Sequence, residues 1–144
     1  MSDSRLSIFA FVAAAIALFA TACGNPRRDN EVGAPPATMH EAARVLTQEL
    51  TQHGVRMRGV HTSELELYFE TDIYGEPAPP AKDAREWIGA TLGFAEITAL
   101  SAVERDARGW LIRIDARGGP VRLWLDSRDS ALRAHGALRR LSGR

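Results

Sequence analysis

Hydrophobic and polar positions follow two periods along the chain, and the switch between them divides it into elements. Thr38-Met-His-Glu41 has the form of a capping box, with Thr38 as cap and Glu41 reaching back. Met39, Ala42, Ala43, Val45, Leu46 and Leu50 follow at helical spacing, and Gly54 marks a stop. From Glu64 to Ile73 the period falls to two. Leu65, Leu67, Phe69 and Ile73 point one way, and Glu64, Glu66, Tyr68, Glu70 and Asp72 the other. Val55–His61 is the expected hairpin partner, turning near Thr62-Ser63. A bulge at Gly59 would set Met57 opposite Leu67 and Arg58 opposite Glu66.

After the Pro-rich loop Tyr74–Ala81, Asp83-Ala-Arg-Glu86 reads as a second capping box. Ala84, Trp87, Ile88, Thr91 and Leu92 form the inner stripe of a predicted helix that Gly93 stops. Phe94–Val103 reads as a strand. Trp110, Ile112, Ile114 and Ala116 alternate with Leu111, Arg113, Asp115 and Arg117. Gly118-Gly119 then predicts a tight turn into Val121–Leu125. That register pairs Ile114 with Leu123, Ile112 with Leu125 and Asp115 with Arg122, and places Arg113 beside Trp124. A last helix starts between Asp126 and Asp129. Ala131, Ala134, Leu138 and Leu141 lie on one side, Arg133, Arg140 and Arg144 on the other. Gly136 within it costs about 1 kcal/mol relative to Ala, so the helix must dock to persist. The order α-β-β-α-β-β-β-α suits an α+β fold, a single mostly antiparallel sheet with helices packed on one face.

The N-terminus is different. Ile8–Ala20 is an unbroken apolar run of thirteen residues, short for a bilayer span and the right length for a signal-peptide core. Ala20-Thr21-Ala22 closes it with small residues in an A-x-A pattern. Residues 24–37 have no hydrophobic period and are rich in Gly, Pro, Asn and charge, which reads as a flexible tether. The chain therefore divides into a signal peptide (1–22), a tether (23–37) and one small domain (38–144).

Composition narrows the function. At 45% hydrophobic and 25% charged residues, the chain has enough apolar content for a globular core. Zero formal net charge gives no general attraction to nucleic acid. A single cysteine, Cys23, allows neither an internal disulfide nor a cysteine-rich zinc site.

Candidate chemistry is sparse. His40-Glu41-Ala-Ala-Arg44 begins like a zinc-protease helix, but Arg44 stands where the second ligand is needed and a cation cannot serve. The acidic row from Glu64 to Asp72 reads as a solvated face, since outward side chains on a strand stand roughly 7 Å apart. His40, His53, His61 and His135 show no ligand spacing and read as surface or capping residues. No catalytic residue, cofactor or metal site is expected. A partner surface is expected in two places: a patch around Trp124, and the basic stripe Arg133, Arg140 and Arg144, which would suit an acidic partner or anionic lipid headgroups.

Ala20-Thr21-Ala22-Cys23 resembles the bacterial lipobox, with Ala20 where that motif usually has Leu. The resemblance implies lipid attachment to Cys23, cleavage between Ala22 and Cys23, and acylation of the new N-terminus. Gly24 after the cysteine implies the outer membrane by the same family's sorting rule. Two other readings of residues 1–23 stay open: ordinary secretion with cleavage after Ala22, and an uncleaved membrane helix. Trp87–Ile114 is similar in pattern to the ferredoxin-like periplasmic modules of pilus-assembly and type II secretion proteins, which implies a ferredoxin-like core and no particular function. The resulting expectation is a cell-envelope lipoprotein, held to the membrane through its lipid, that serves as a non-catalytic protein-binding or scaffold module with an unidentified envelope partner. A small-ligand-binding periplasmic domain is the alternative.

Overall fold

A computed structural model describes residues 32–72 and 87–144. Cys23 and the rest of the signal and lipobox, the Pro-rich loop and the capping box at Asp83–Glu86 lie outside the described residues. The class is α+β, as the pattern predicts. Helix α1 (Met39–His53) is followed by β1 (Met57–Thr62), β2 (Glu66–Thr71) and β3 (Ile88–Gly93). A short 3₁₀ turn at Phe94–Glu96 leads to β4 (Ile97–Leu100), β5 (Glu104–Asp106), β6 (Gly109–Ala116), β7 (Val121–Leu125) and helix α2 (Arg128–Ser142).

The strands divide between two antiparallel sheets rather than forming one. The first has the order β1-β2-β3. In the second, β6 pairs with β4 and β5 along one edge and with β7 along the other. The sheets are joined where α1 ends: Gly54 bridges Leu125, and the Val55 N–H donates to the Trp124 carbonyl at 2.8 Å.

Ile88–Gly93 is a strand, not the second half of a helix. Trp87, Ile88, Thr91 and Leu92 fit a helical stripe, but Ile88, Ala90 and Leu92 fit one face of a strand equally well. Short apolar runs do not distinguish the two periods. Gly89, Gly93 and β-branched Ile88 and Thr91 weaken the helix, and pairing with β2 from Thr71↔Ile88 to Glu66↔Gly93 decides the outcome.

Two registers also differ from expectation. The bulge lies at Gly59, between Arg58 and His61, but Arg58 pairs with Glu70, four residues beyond Glu66. The turn falls two residues later than predicted, on Glu64-Leu65, with the Ser63 N–H donating to the Glu66 carbonyl at 3.0 Å. Ser63 Oγ accepts from the Leu65 and Glu66 N–H groups, and Leu65 at the tip is 79% exposed instead of buried. In the β6–β7 hairpin Ile114 pairs with Val121 and Ile112 with Leu123. The turn closes on Arg117-Gly118 rather than Gly118-Gly119: the Gly119 N–H donates to the Ala116 carbonyl at 3.0 Å, and Pro120 has no N–H to give to the ladder. A slip of two residues keeps the same side chains facing the core. It replaces the expected Asp115–Arg122 pair with Arg113 opposite Arg122, and Arg113 Nη2 turns to Glu104 Oε1 at 2.6 Å, a contact not aligned as a hydrogen bond.

Helices α1 and α2 behave as read. Thr38 Oγ1 accepts from the Glu41 N–H, and Glu41 reaches back to the Ala37 N–H. Ser127 caps α2 through the Ser130 N–H. Ala42, Leu46, Leu50, Ala131, Ala134, Leu138 and Leu141 join Leu67, Phe69, Leu92, Ile112, Ile114, Leu123 and Leu125 in one core. Between the helices, Arg133 donates to both Glu49 oxygens, at 2.6 and 3.2 Å.

That ion pair is asymmetric, since the Glu49 side chain is 8% exposed and that of Arg133 53%. Losing Glu49 leaves a cation that water can reach, whereas losing Arg133 leaves a buried carboxylate alone. Glu49→Ala is therefore expected to cost about 1 kcal/mol, and Arg133→Ala about 3 kcal/mol. Urea unfolding of the two variants measures the difference, and equal costs would contradict the asymmetry.

Candidate functional site

The residues expected to form a partner surface do not come together as one. Trp124 is 6% exposed. It lies on the sheet face opposite the main core, across from Leu111, which is also buried. Its indole N–H donates to Asp106 Oδ2 at 2.8 Å, and the Arg108 guanidinium lies 5.1 Å over the ring. A flat exposed patch around Trp124 is therefore not what the fold presents, because the β5–β6 turn folds over it. Asp106 holds that turn through Oδ1, which accepts from the N–H groups of Arg108 and Gly109.

The basic stripe on α2 is likewise dispersed. Arg133 is engaged with Glu49 and Ser130; the Glu49 hydrogen bond outweighs partial burial and raises the guanidinium pKa, with the Glu49 and Asp129 charges acting the same way. Arg144 Nε donates to the Ile97 carbonyl at 3.0 Å, tying the end of α2 to β4. Arg140 stays exposed. Two acids of the row from Glu64 to Asp72 are paired locally: Arg58 pairs with Glu70 at 2.6 Å and stacks on Trp87, and Arg56 pairs with Asp72 at 2.7 Å.

Two grooves remain. One, of about 610 Å³, opens between the sheets. Phe69 and Thr71 of β2 and Ala90 and Leu92 of β3 form one wall, and Ala116 and Val121 form another. Glu96 and Arg122 are its charged groups. Such a lining can hold a ligand or an extended chain by shape, with one carboxylate and one guanidinium to orient it. The second, of about 640 Å³, runs between α1 and the end of β1. It brings His40 and Arg44, one helical turn apart, near His61 and Glu64. No group of three or more potential metal-ligating side chains occurs among the described residues.

Sequence reasoning missed His135. It is not a surface residue but 2% exposed, between α2 and the segment that precedes α1. Its Nδ1 accepts the Gly33 N–H at 3.1 Å. Burial pushes its pKa below the ordinary value, with the nearby Arg139 charge acting the same way and a hydrogen bond to the Ser101 backbone opposing them. The signal was present: His135 falls four residues after Ala131 and three before Leu138, within the buried stripe. Gly33, assigned by sequence to the tether, is buried against the helix.

Comparison with protein-family models, with curated proteins and with solved structures gives no match for this chain. Among the described residues, no helix is long and apolar enough to cross a membrane.

Burial pushes the Asp106 carboxyl upward, but the hydrogen bonds from Trp124, Arg108 and Gly109 prevail and hold it below the ordinary carboxylate range. A depressed carboxyl stabilises the fold above its unfolded pKa of about 3.9, and that contribution is lost as pH falls through the lower folded value. Trp124→Phe should raise the Asp106 pKa toward the ordinary value, read by NMR titration of its carboxyl carbon, and should flatten the dependence of stability on pH below about 4. An unchanged Asp106 titration would show that the indole N–H does not contribute.

Proposed function

We propose that this protein is a lipid-anchored module of the bacterial cell envelope, non-catalytic, that binds or scaffolds another envelope protein. The observation that carries the anchoring is the position of the only cysteine. Cys23 directly follows Ala20-Thr21-Ala22 at the end of the apolar run, where a thiol is needed to take a diacylglyceryl group. Two or three acyl chains anchor stably where one is marginal. The outer membrane is the proposed site, on the strength of Gly24. Protein binding is reached by elimination: a nucleophile with its base, clustered ligands, a phosphate loop and a dinucleotide fingerprint have no counterpart in the sequence.

The inter-sheet groove favours a second reading, a small-ligand-binding domain in the same location. Its volume of about 610 Å³ falls within the usual range for ligand sites, and Glu96 and Arg122 supply charge at its wall.

Native and denaturing mass spectrometry of the protein extracted from membranes tests both. The denatured mass should begin at Cys23 and exceed the polypeptide by the acyl groups, and Cys23→Ser should leave an unlipidated precursor. An unmodified mature mass, or retention of residues 1–22, would overturn the anchoring. Under native conditions a stoichiometric second polypeptide supports the binding module, whereas a bound small molecule supports the alternative.

A further inference from the structure

We propose that Gly33 and Ala34 form a latch seated in a notch on α2, and that protonation of His135 releases it, giving the chain before α1 two working lengths. The seat is built from both sides. The Gly33 N–H donates to His135 Nδ1, and the Gly33 carbonyl accepts from Arg139 Nη1 at 3.2 Å. A Cβ on Gly33 would stand 1.8 Å from the Leu132 carbonyl oxygen, and one on Gly136 would stand 2.0 Å from the Ala34 carbonyl oxygen. Only two glycines let the backbones meet this closely. The glycine that weakens α2 thus has a reason: its missing side chain is the notch.

His135 makes the seat sensitive to pH. With Nδ1 accepting, the ring proton sits on Nε2, the tautomer set by the bond to Gly33. A second proton would go on Nδ1 and meet the Gly33 N–H donor against donor, so the bond cannot survive protonation. The groups facing the ring are the Ser101 backbone from the end of β4, Arg139 from its own helix and the Gly33 amide from the latch. Arg139 is the charged one, and its charge opposes a histidinium. Most buried histidines of this kind are fixed, because their partners belong to the core. Here the partner precedes the cap at Thr38 and can leave while α1 keeps its own cap.

Release adds reach. Among the described residues, the held point nearest Cys23 moves from Gly33, ten residues on, to Thr38, fifteen residues on. Five more residues extend at most about 17 Å. This consequence for distance from a membrane rests on the lipid anchoring proposed above; the latch itself does not.

The sign follows from linkage. Above the unperturbed value of about 6.5, His135 is neutral in both states and the latch is closed. Below it the open state binds the proton more tightly, so opening increases up to tenfold per pH unit until the closed-state pKa is reached.

Amide hydrogen exchange on the full chain in detergent, corrected for intrinsic rates, tests the proposal between pH 7.5 and 5. Protection of Gly33 should fall up to tenfold per pH unit below about 6.5, while that of Leu46 and Ile112 holds. Gly33→Ala should abolish latch protection at every pH with the core intact. Gly136→Ala should do the same without weakening α2, since Ala is the better helix former. His135→Asn keeps an acceptor near the Nδ1 position and cannot titrate, so its latch should stay closed at acid pH. Wild-type Gly33 protection that ignores pH, or an unchanged pH response in His135→Asn, overturns the proposal. The same measurements on full-chain Cys23→Ser separate the two readings: a preserved response supports the latch whatever the mass at Cys23 shows.

Discussion

The burial of Ile112 and Ile114 on β6 is the contact on which the rest of the fold depends. Both are fully buried, and β6 is hydrogen-bonded along both edges, to β4 and β5 on one side and to β7 on the other. The pleat sends these two side chains, with Leu123 and Leu125 from β7, into the core that Leu46, Leu50 and Leu138 close from the helices. A central strand with no free edge cannot slip without moving a whole face out of the core. Its neighbours can adjust around it. β7 sits two residues from the register expected for a turn at Gly118-Gly119, and Gly54 and Val55 use its outer edge to bring in the second sheet.

Packing of the helices follows from small residues as much as from large ones. Ala42, Ala43, Ala131, Ala134 and Ala137 are all buried, and they let α1 and α2 approach closely. Polar groups caught in that approach are each satisfied: Glu49 by Arg133, Ser130 by Ser127, and His135 by Gly33 and Ser101. Each costs desolvation, and each then fixes an alignment that apolar contacts alone leave loose. His135 differs in that its partner lies outside the core, on the stretch that leads toward Cys23. The proposed latch rests on that difference.

The same economy explains why the surface offers little that was anticipated. Charged side chains that a sequence presents as a stripe or a row are drawn inward by whatever the fold sets near them. Arg133 finds Glu49 on a neighbouring helix, Arg144 a carbonyl at the start of β4, and Arg58 both Glu70 and Trp87. Trp124 loses its exposure to a turn that Asp106 pins down with three hydrogen bonds. The grooves are of another kind, since their walls belong to elements far apart in the chain.

By itself the sequence determined the α+β class, both described helices with their caps, the strands β2, β6 and β7, the bulge at Gly59, and which residues of those elements face the core. These rest on local physics: capping hydrogen bonds, a 3.6 or 2.0 period, and the missing donor or side chain of Pro and Gly. Tertiary structure alone decided that Ile88–Gly93 is a strand, because an apolar run that suits both periods is settled by an open edge on β2. It decided the two registers, since a slip of two or four residues preserves the hydrophobic pattern and only the whole loop selects among them. It also decided the burial of Trp124, the pairing of His135 with Gly33 and the seat of Gly33 beside Gly136. Those depend on which backbone lies across the chain, and spacing along one segment carries no information about that.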